Sequence, residues 1–289
     1  MERKVLMLKR FLCIMIAAVT AFLSGCAGKT KKTDISEVGN GLTVYCFKAG
    51  KADAQLIYGD DWAVLIDCGE KGFGKEIVAY MDENGIGKLD YLIITHFDKD
   101  HVGGAAKVLK ECEVGAVLQS NCPKDSDEYD NYLDALKDTG ITAQTIRERM
   151  SFTLGSAVFT IDPPDLEEYK KDPSNNSSLI TEVTLGKIDM LFAGDVETDR
   201  LNEYTARNDK TFRFVKVPYH GHWQKGLKPF AEKIKADIAV MTVSDKEPED
   251  KETVDLFEKN GAEVFVTRTA GVTVRCDGEN IAASYDENA

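Results

Sequence analysis

Short apolar runs at residues 42–47, 54–58 and 63–67 are separated by turn residues, the pattern of adjacent strands in one sheet. Residues 75–83 follow with a helical pattern closed by Asn84-Gly85, and Leu92-Ile93-Ile94 reads as a buried strand ending at Thr95. The predicted elements then alternate: helix 105–110, strand 114–119, helix 129–137, strand 142–146. The second half repeats this logic, with strands at 157–161, 178–185, 188–193, 212–216, 238–243, 264–267 and 272–276, and helices at 226–234 and 251–259. Each half opens strand-rich and becomes alternating, which predicts two sheets packed face to face with helices outside. Neither a short-period repeat nor a second linker interrupts the pattern, so one domain is expected over residues 41–287.

Upstream the pattern changes. A basic start (Arg3, Lys4, Lys9, Arg10) precedes an apolar run from Phe11 to Leu23 and then Leu23-Ser24-Gly25-Cys26. The tetrapeptide resembles a bacterial lipobox, in which small residues admit a peptidase and the cysteine thiol accepts the lipid. The apolar run is short for a membrane-spanning helix. Residues 1–25 are therefore expected to be a lipoprotein signal peptide, Cys26 the lipidated residue, and residues 26–40 a polar tether, placing the protein outside the cytoplasm on a membrane anchor.

Composition narrows the function class. With 289 residues and 43% hydrophobic content the chain can bury a sizeable core. Its formal net charge is −13, and loss of residues 1–25 leaves 32 basic against 48 acidic side chains, or −16. Such a surface repels polyanions at long range and suits divalent cations. The cysteines beyond Cys26 (Cys46, Cys68, Cys112, Cys122, Cys276) contain no C-x-x-C pair, which argues against a ribbon- or finger-type zinc site. Their number is odd, so at least one thiol is unpaired, and most are expected to be buried core residues.

Candidate chemistry concentrates where the apolar strands end. Residues 92–104 run from a buried strand into His96, Asp98, Asp100 and His101, with Gly103-Gly104 allowing a close helix approach. All four histidines lie in two such loops, His96 and His101 in the first and His220 and His222 in Val217-Pro218-Tyr219-His220-Gly221-His222. Asp195 in Ala193-Gly194-Asp195 and Asp67 in Leu65-Ile66-Asp67 are further acids at strand ends. A solvated charged loop accounts for the acids alone, but confinement of every histidine to two strand-end loops points to a shared centre. Imidazole nitrogens and carboxylate oxygens are the donors that Zn, Mn or Fe accept.

The segment Thr95-His96-Phe97-Asp98-Lys99-Asp100-His101 resembles the T-H-x-H-x-D-H signature of the metallo-β-lactamase superfamily. Asp98 in place of the middle histidine is similar to the branch represented by the extracytoplasmic domain of the competence protein ComEC. Asn175-Asn176-Ser177-Ser178-Leu179, Gly194-Asp195, the residues 216–221 and Arg268-Thr269 with Gly271 extend the likeness over residues 67–271. The resemblance implies a four-layer αββα sandwich of two mixed β-sheets with helices on the outer faces. It also implies two divalent ions, Zn or Mn with Fe as a third option: one held by His96, Asp98 and Asp195, the other by Asp100, His101 and His220, with Asp195 bridging. Asp67 would support the centre from behind. Two positions depart from the pattern. No histidine lies between His101 and His220, so Asn176 and Ser178 are candidates for neutral ligand oxygens or substrate contacts. Tyr219-His220-Gly221-His222 stands where the branch reads His-His-Gly-Ser, leaving His222 as an acid/base or substrate-contacting group, an extra ligand, or a surface residue.

The chemistry implied is hydrolysis by a metal-bound hydroxide, with Asp100 beneath the attacking water and neither a Ser nor a Cys nucleophile needed. A phosphodiester, nucleic acid included, is the leading substrate, because the branch is associated with DNA processing. Three rivals stand beside it. A hydrolase of another ester, thioester or amide would keep the cluster and change the loops around Lys99, Asn176 and His222. A non-catalytic metal-binding surface lipoprotein would keep only the fold, and an oxidoreductase would carry iron. No protein partner is expected.

Overall fold

The computed structural model describes residues 33–286. The leader and residues 26–32 of the tether, Cys26 among them, lie outside the described residues. Among the described residues the strands form two mixed sheets. The first runs β1 (Leu42–Cys46), β2 (Gln55–Tyr58), β3 (Ala63–Ile66), β4 (Lys88–Ile94), β5 (Glu113–Gln119) and β6 (Ala143–Thr145). The second runs β7 (Met150–Leu154), β8 (Ala157–Asp162), β9 (Ile180–Leu185), β10 (Ile188–Phe192), β11 (Phe214–Lys216), β12 (Ile238–Met241) and β13 (Glu263–Val266). Then β14 (Val272–Cys276) and β15 (Ile281–Tyr285) return to the first sheet on the far side of β1.

Both sheets follow one plan. The chain meanders antiparallel through β1–β3 and β7–β10, then switches to parallel pairing through β3–β6 and β10–β13. Parallel neighbours need crossovers, and helices supply most of them. On the first sheet these are α1 (Gly74–Glu83), α2 (Lys99–Val102), α3 (Ala105–Glu111) and α4 (Asp127–Thr139). A short α5 (Pro173–Asn176) precedes β9, and α6 (Thr198–Arg207), α7 (Leu227–Ile234) and α8 (Lys251–Lys259) cross the second sheet.

Strand alternation explains the layers. Val64 and Ile66 of β3 join Val44, Phe159, Val183, Phe192, Phe214 and Val274 in the core between the sheets. Ala63 and Leu65 point the other way and pack with Ile77, Met81, Leu109 and Tyr132 under the helices. On the second sheet Leu191 and Val215 do the same with Leu201, Phe230 and Phe257. Residues covered on both faces must be apolar on both, which is why β3 and β12 read as continuous hydrophobic runs. The result is the four-layer αββα sandwich expected from the sequence.

The differences from expectation are local. Strand β4 begins at Lys88, four residues earlier than its apolar end suggests. Strand β7 is half exposed with an alternating face, and β15 is a short edge strand; neither carries a strong apolar signal. Helix α6 escapes the pattern because one of its inward residues is Arg200, fully buried against Asp162. All five described cysteines are free thiols. No described helix is long and apolar enough to cross a membrane.

Candidate metal centre

The parallel strands of both sheets release their loops toward one cluster. Asp67 follows β3 in a left-handed conformation (φ 57°), so the chain turns sharply and its carboxylate stays beneath the loop after β4. The Cys68 amide donates to the His101 carbonyl at 2.7 Å and the Asp53 amide to that of Asp100 at 3.0 Å, tying three loops together. A Cβ on Gly104 would collide with the Cys68 carbonyl, so only glycine lets α3 start this close.

Each cluster histidine is held by its Nδ1. His101 Nδ1 donates to Asp67 Oδ2 at 2.7 Å, and His220 Nδ1 lies 3.1 Å from the Thr242 carbonyl, which can only accept. His96 Nδ1 lies 3.1 Å from Thr95 Oγ1 and 3.3 Å from Ser178 Oγ. The Thr95 hydroxyl already donates to Asp67 Oδ2 at 2.6 Å, which leaves it to accept from His96. We therefore place a proton on Nδ1 in all three rings, which turns each Nε2 toward the centre. All three Nε2 atoms are buried and lack a hydrogen-bond partner.

Carboxylates complete the cluster. Asp195 Oδ2 is 2.9 Å from His220 Nε2 and 3.3 Å from His101 Nε2, and Asp100 Oδ2 is 3.5 Å from His220 Nε2. Donor atoms of His96, His101 and Asp195, and separately of Asp100, His101 and His220, lie within 4.8 Å of one another. Ligands about 2.0–2.2 Å from a shared ion sit at such separations, so the donor set fits one or two divalent cations. Electrostatics agree. Burial lowers His96 to about 4, leaving its lone pair available at neutral pH. Burial would lower His101 and His220 too, but Asp195, with Asp67 also acting on His101, holds both above the ordinary histidine range. Burial would raise Asp195 and Asp100; the facing histidines, with Lys216 also acting on Asp195, hold both below the usual carboxylate range.

Not every candidate joins this cluster. Asp98 Oδ1 is 3.9 Å from His96 Nε2, but the same oxygen accepts from Lys124 Nζ at 2.6 Å and from the Ser174 hydroxyl. Asn176 is buried with its amide oxygen accepting from the Glu197 and Arg200 amides (3.2 and 3.1 Å), so it caps the start of α6. Ser178 sits behind the centre, its hydroxyl accepting from the Asp195 amide at 3.4 Å. His222 lies 3.8 Å from Asp250, edge-on to Tyr219, and is not among the residues lining the cleft. Lys99 is exposed on the cleft wall.

Sequence reasoning missed Asp53, Lys216, Thr242, Lys51 and Lys124. Two left a signal: Asp53 stands in the apolar Ala52-Asp53-Ala54, and Lys216 in an otherwise apolar strand. Both are fully buried and paired with each other. The open cleft above the cluster has a volume of about 370 Å³ and is lined by Lys51, Lys99 and Lys124 together with Asp98, Asp100 and Asp195.

Residues 49–122, which include the loop from His96 to His101, match the model of the metallo-beta-lactamase superfamily. The metallo-beta-lactamase match lies on that segment. The chain is similar to ComE operon protein 3 of Bacillus subtilis, 24% identical over 172 residues, covering 58% of this chain and 22% of that protein. It is also similar to Recombination protein 2 of Haemophilus influenzae, 24% identical over 218 residues, covering 74% of this chain and 24% of the relative. The chain thus spans under a quarter of the length of either curated relative. Among solved structures, the metallo-beta-lactamase fold protein YhfI from Bacillus subtilis aligns with a TM-score of 0.54 at 11% identity, covering 84% of this chain and 99% of its own. Tm1679, described as a metal-dependent hydrolase of the beta-lactamase superfamily, aligns at 0.53 with 13% identity, covering 85% of this chain and 100% of its own. Both share the two-sheet sandwich.

Proposed function

We propose that this chain is a metal-dependent hydrolase of phosphodiesters, carried outside the cytoplasm on a lipid at Cys26 with residues 41–287 as its catalytic domain. One observation carries the reading: three histidines with Nδ1 engaged and Nε2 unpartnered converge with Asp100 and Asp195 at the floor of a cleft rimmed by three lysines. His96, His101, His220, Asp100 and Asp195 would hold two divalent ions of the Zn or Mn kind. Asp98 would join them by leaving Lys124. Such ions supply a lowered water pKa and stabilisation of charge on the attacked centre.

The chain's own residues do the rest. Asp67, Thr242 and Thr95 fix the three imidazole planes, so little reorganisation is left for the reaction. Asp100, at the cleft floor and partly open to it, is placed to orient the attacking water. Lys51, Lys99 and Lys124 put positive charge around the mouth of an acidic protein, which favours an anionic substrate there. Recombination protein 2 carries recombination in its name, which supports a nucleic-acid phosphodiester. The test is hydrolysis of bis(p-nitrophenyl) phosphate and of a dinucleotide by chelated and by Mn- or Zn-reloaded protein. Activity that returns with metal and is lost in a folded Asp100→Ala variant is expected. A metal-loaded protein that cleaves a thioester or carboxylic ester but neither phosphodiester would shift the substrate class, and one that binds no divalent ion would end the hydrolase reading.

A further inference from the structure

The cluster already contains a cation of its own. Lys216, the last residue of β11, is fully buried, and its ammonium is surrounded by oxygens. It pairs with Asp53 Oδ2, donates to the Gly194 carbonyl at 3.0 Å and lies 3.5 Å from Asp195 Oδ1. These oxygens belong to the metal cluster's own frame. Asp195 turns its other oxygen to His101 and His220. Asp53 Oδ1 accepts from the Thr242 hydroxyl at 2.5 Å and lies 3.5 Å from His220 Nδ1. Asp53, Asp195 and His220 place donor atoms within 4.8 Å of one another, the spacing of a metal-holding group.

A lysine here is costly. Taking an ammonium out of water costs several kcal/mol, and an apolar residue of similar length would fill the space without that cost. Without the ammonium, however, Asp53 Oδ2 and Asp195 Oδ1 would share a dry pocket without a cation of their own, since His220 lies on the other oxygen of each carboxylate, a state relieved by a proton or another cation. The three oxygens are the hard donor type that Mg, Mn and Ca accept.

We propose that Lys216 Nζ occupies a third cation position of this centre, formed by Asp53, Asp195 and the Gly194 carbonyl, and that it keeps divalent ions out of that position. The inference rests on the two-ion reading above and adds the residue that sets the number of ions. Lys216 touches neither substrate nor solvent; it is a positioning residue that acts through Asp195. A brace that merely filled space would leave the number of bound ions unchanged when shortened.

The experiment measures metal content and Mn-dependent melting of the full chain, for wild type, Lys216→Ala, Lys216→Arg and the double variant Asp53→Asn with Lys216→Met. Lys216→Ala should bind one more equivalent of Mn per chain than wild type and should melt at a higher temperature with Mn than without it by a wider margin. Lys216→Arg and the double variant should keep the wild-type number. If Lys216→Ala is unfolded in chelator, recovery of its fold on adding Mn or Mg supports the proposal, and failure to recover overturns it. A folded Lys216→Ala with wild-type stoichiometry also overturns it. Wild-type protein that binds no divalent ion removes the two-ion reading itself, a result distinguishable from the others.

Discussion

At the scale of single residues, the centre is built as much by the groups behind the histidines as by the histidines. Asp67 receives the Thr95 amide at 2.8 Å, the Thr95 hydroxyl and the His101 ring, so one carboxylate sets the orientation of two loops. Asp67→Asn presents an amide nitrogen to donors that need an acceptor, and metal affinity should fall about 10–100-fold. Titration of Mn or Zn into the folded variant checks this; wild-type affinity would show that Asp67 is dispensable. Protonation gives a second expectation. His101 and His220 are held above the ordinary histidine range, so a proton occupies each ring where a cation would bind, whereas His96 at about 4 is already neutral. Metal uptake at neutral pH should release protons, and apparent affinity should keep rising with pH above the ordinary histidine value. Calorimetry in buffers of different ionisation enthalpy reads the release, and an affinity that levels off below pH ~6.5 would contradict it. The stability of the metal-free fold runs the opposite way with pH. Raised folded-state values on His101 and His220 stabilise the metal-free fold below the unfolded pKa and are lost as pH rises through the folded values.

At the scale of elements, α6 shows why a candidate ligand can be structural. Its inward residues Arg200, Leu201 and Tyr204 give a weak apolar stripe, and the terminal nitrogens of Arg200 are taken up by Asp162, Glu203 and the Pro163 carbonyl. Helix N-termini leave amides unpaired, and Asn176 supplies the missing acceptor to two of them from another element. Asn176→Ala should therefore cost about 1–2 kcal/mol, visible as a lower denaturant midpoint, while the metal-binding number stays unchanged. A lost metal site with unaltered stability would instead return Asn176 to the centre.

At the scale of the whole molecule, a net charge of −13 surrounds a cleft mouth bearing Lys51, Lys99 and Lys124. Short anionic substrates can use the local field, while long polyanions also meet the acidic exterior. Lys99, exposed on the cleft wall, should raise KM a few-fold for a dinucleotide when changed to Ala, with kcat little altered. Added salt should weaken dinucleotide binding and narrow the disadvantage of long DNA, since screening acts on both fields. Steady-state kinetics at low and physiological ionic strength separates these. A KM for Lys99→Ala equal to wild type would remove the lysine rim from substrate recognition.

Local order was legible in the chain because it depends on nearby residues. The buried runs at β3, β4, β10 and β12, the crossover helices other than α2 and α6, and the sandwich they build follow from the period of apolar positions. The same locality placed every histidine of the cluster at a strand end. What the tertiary structure decided is which acid faces which partner. Asp98 and Asp100 stand two residues apart in one loop, yet Asp98 is taken up by Lys124 and Ser174 while Asp100 faces His220. Thr242 and Asp53 meet across 189 residues, and Asp53 comes from the first sheet to pair with Lys216 at the end of a strand in the second. Such pairs carry no periodic signature, because the chain between them only has to fold back. Their attraction becomes strong only where both sheets have already excluded water.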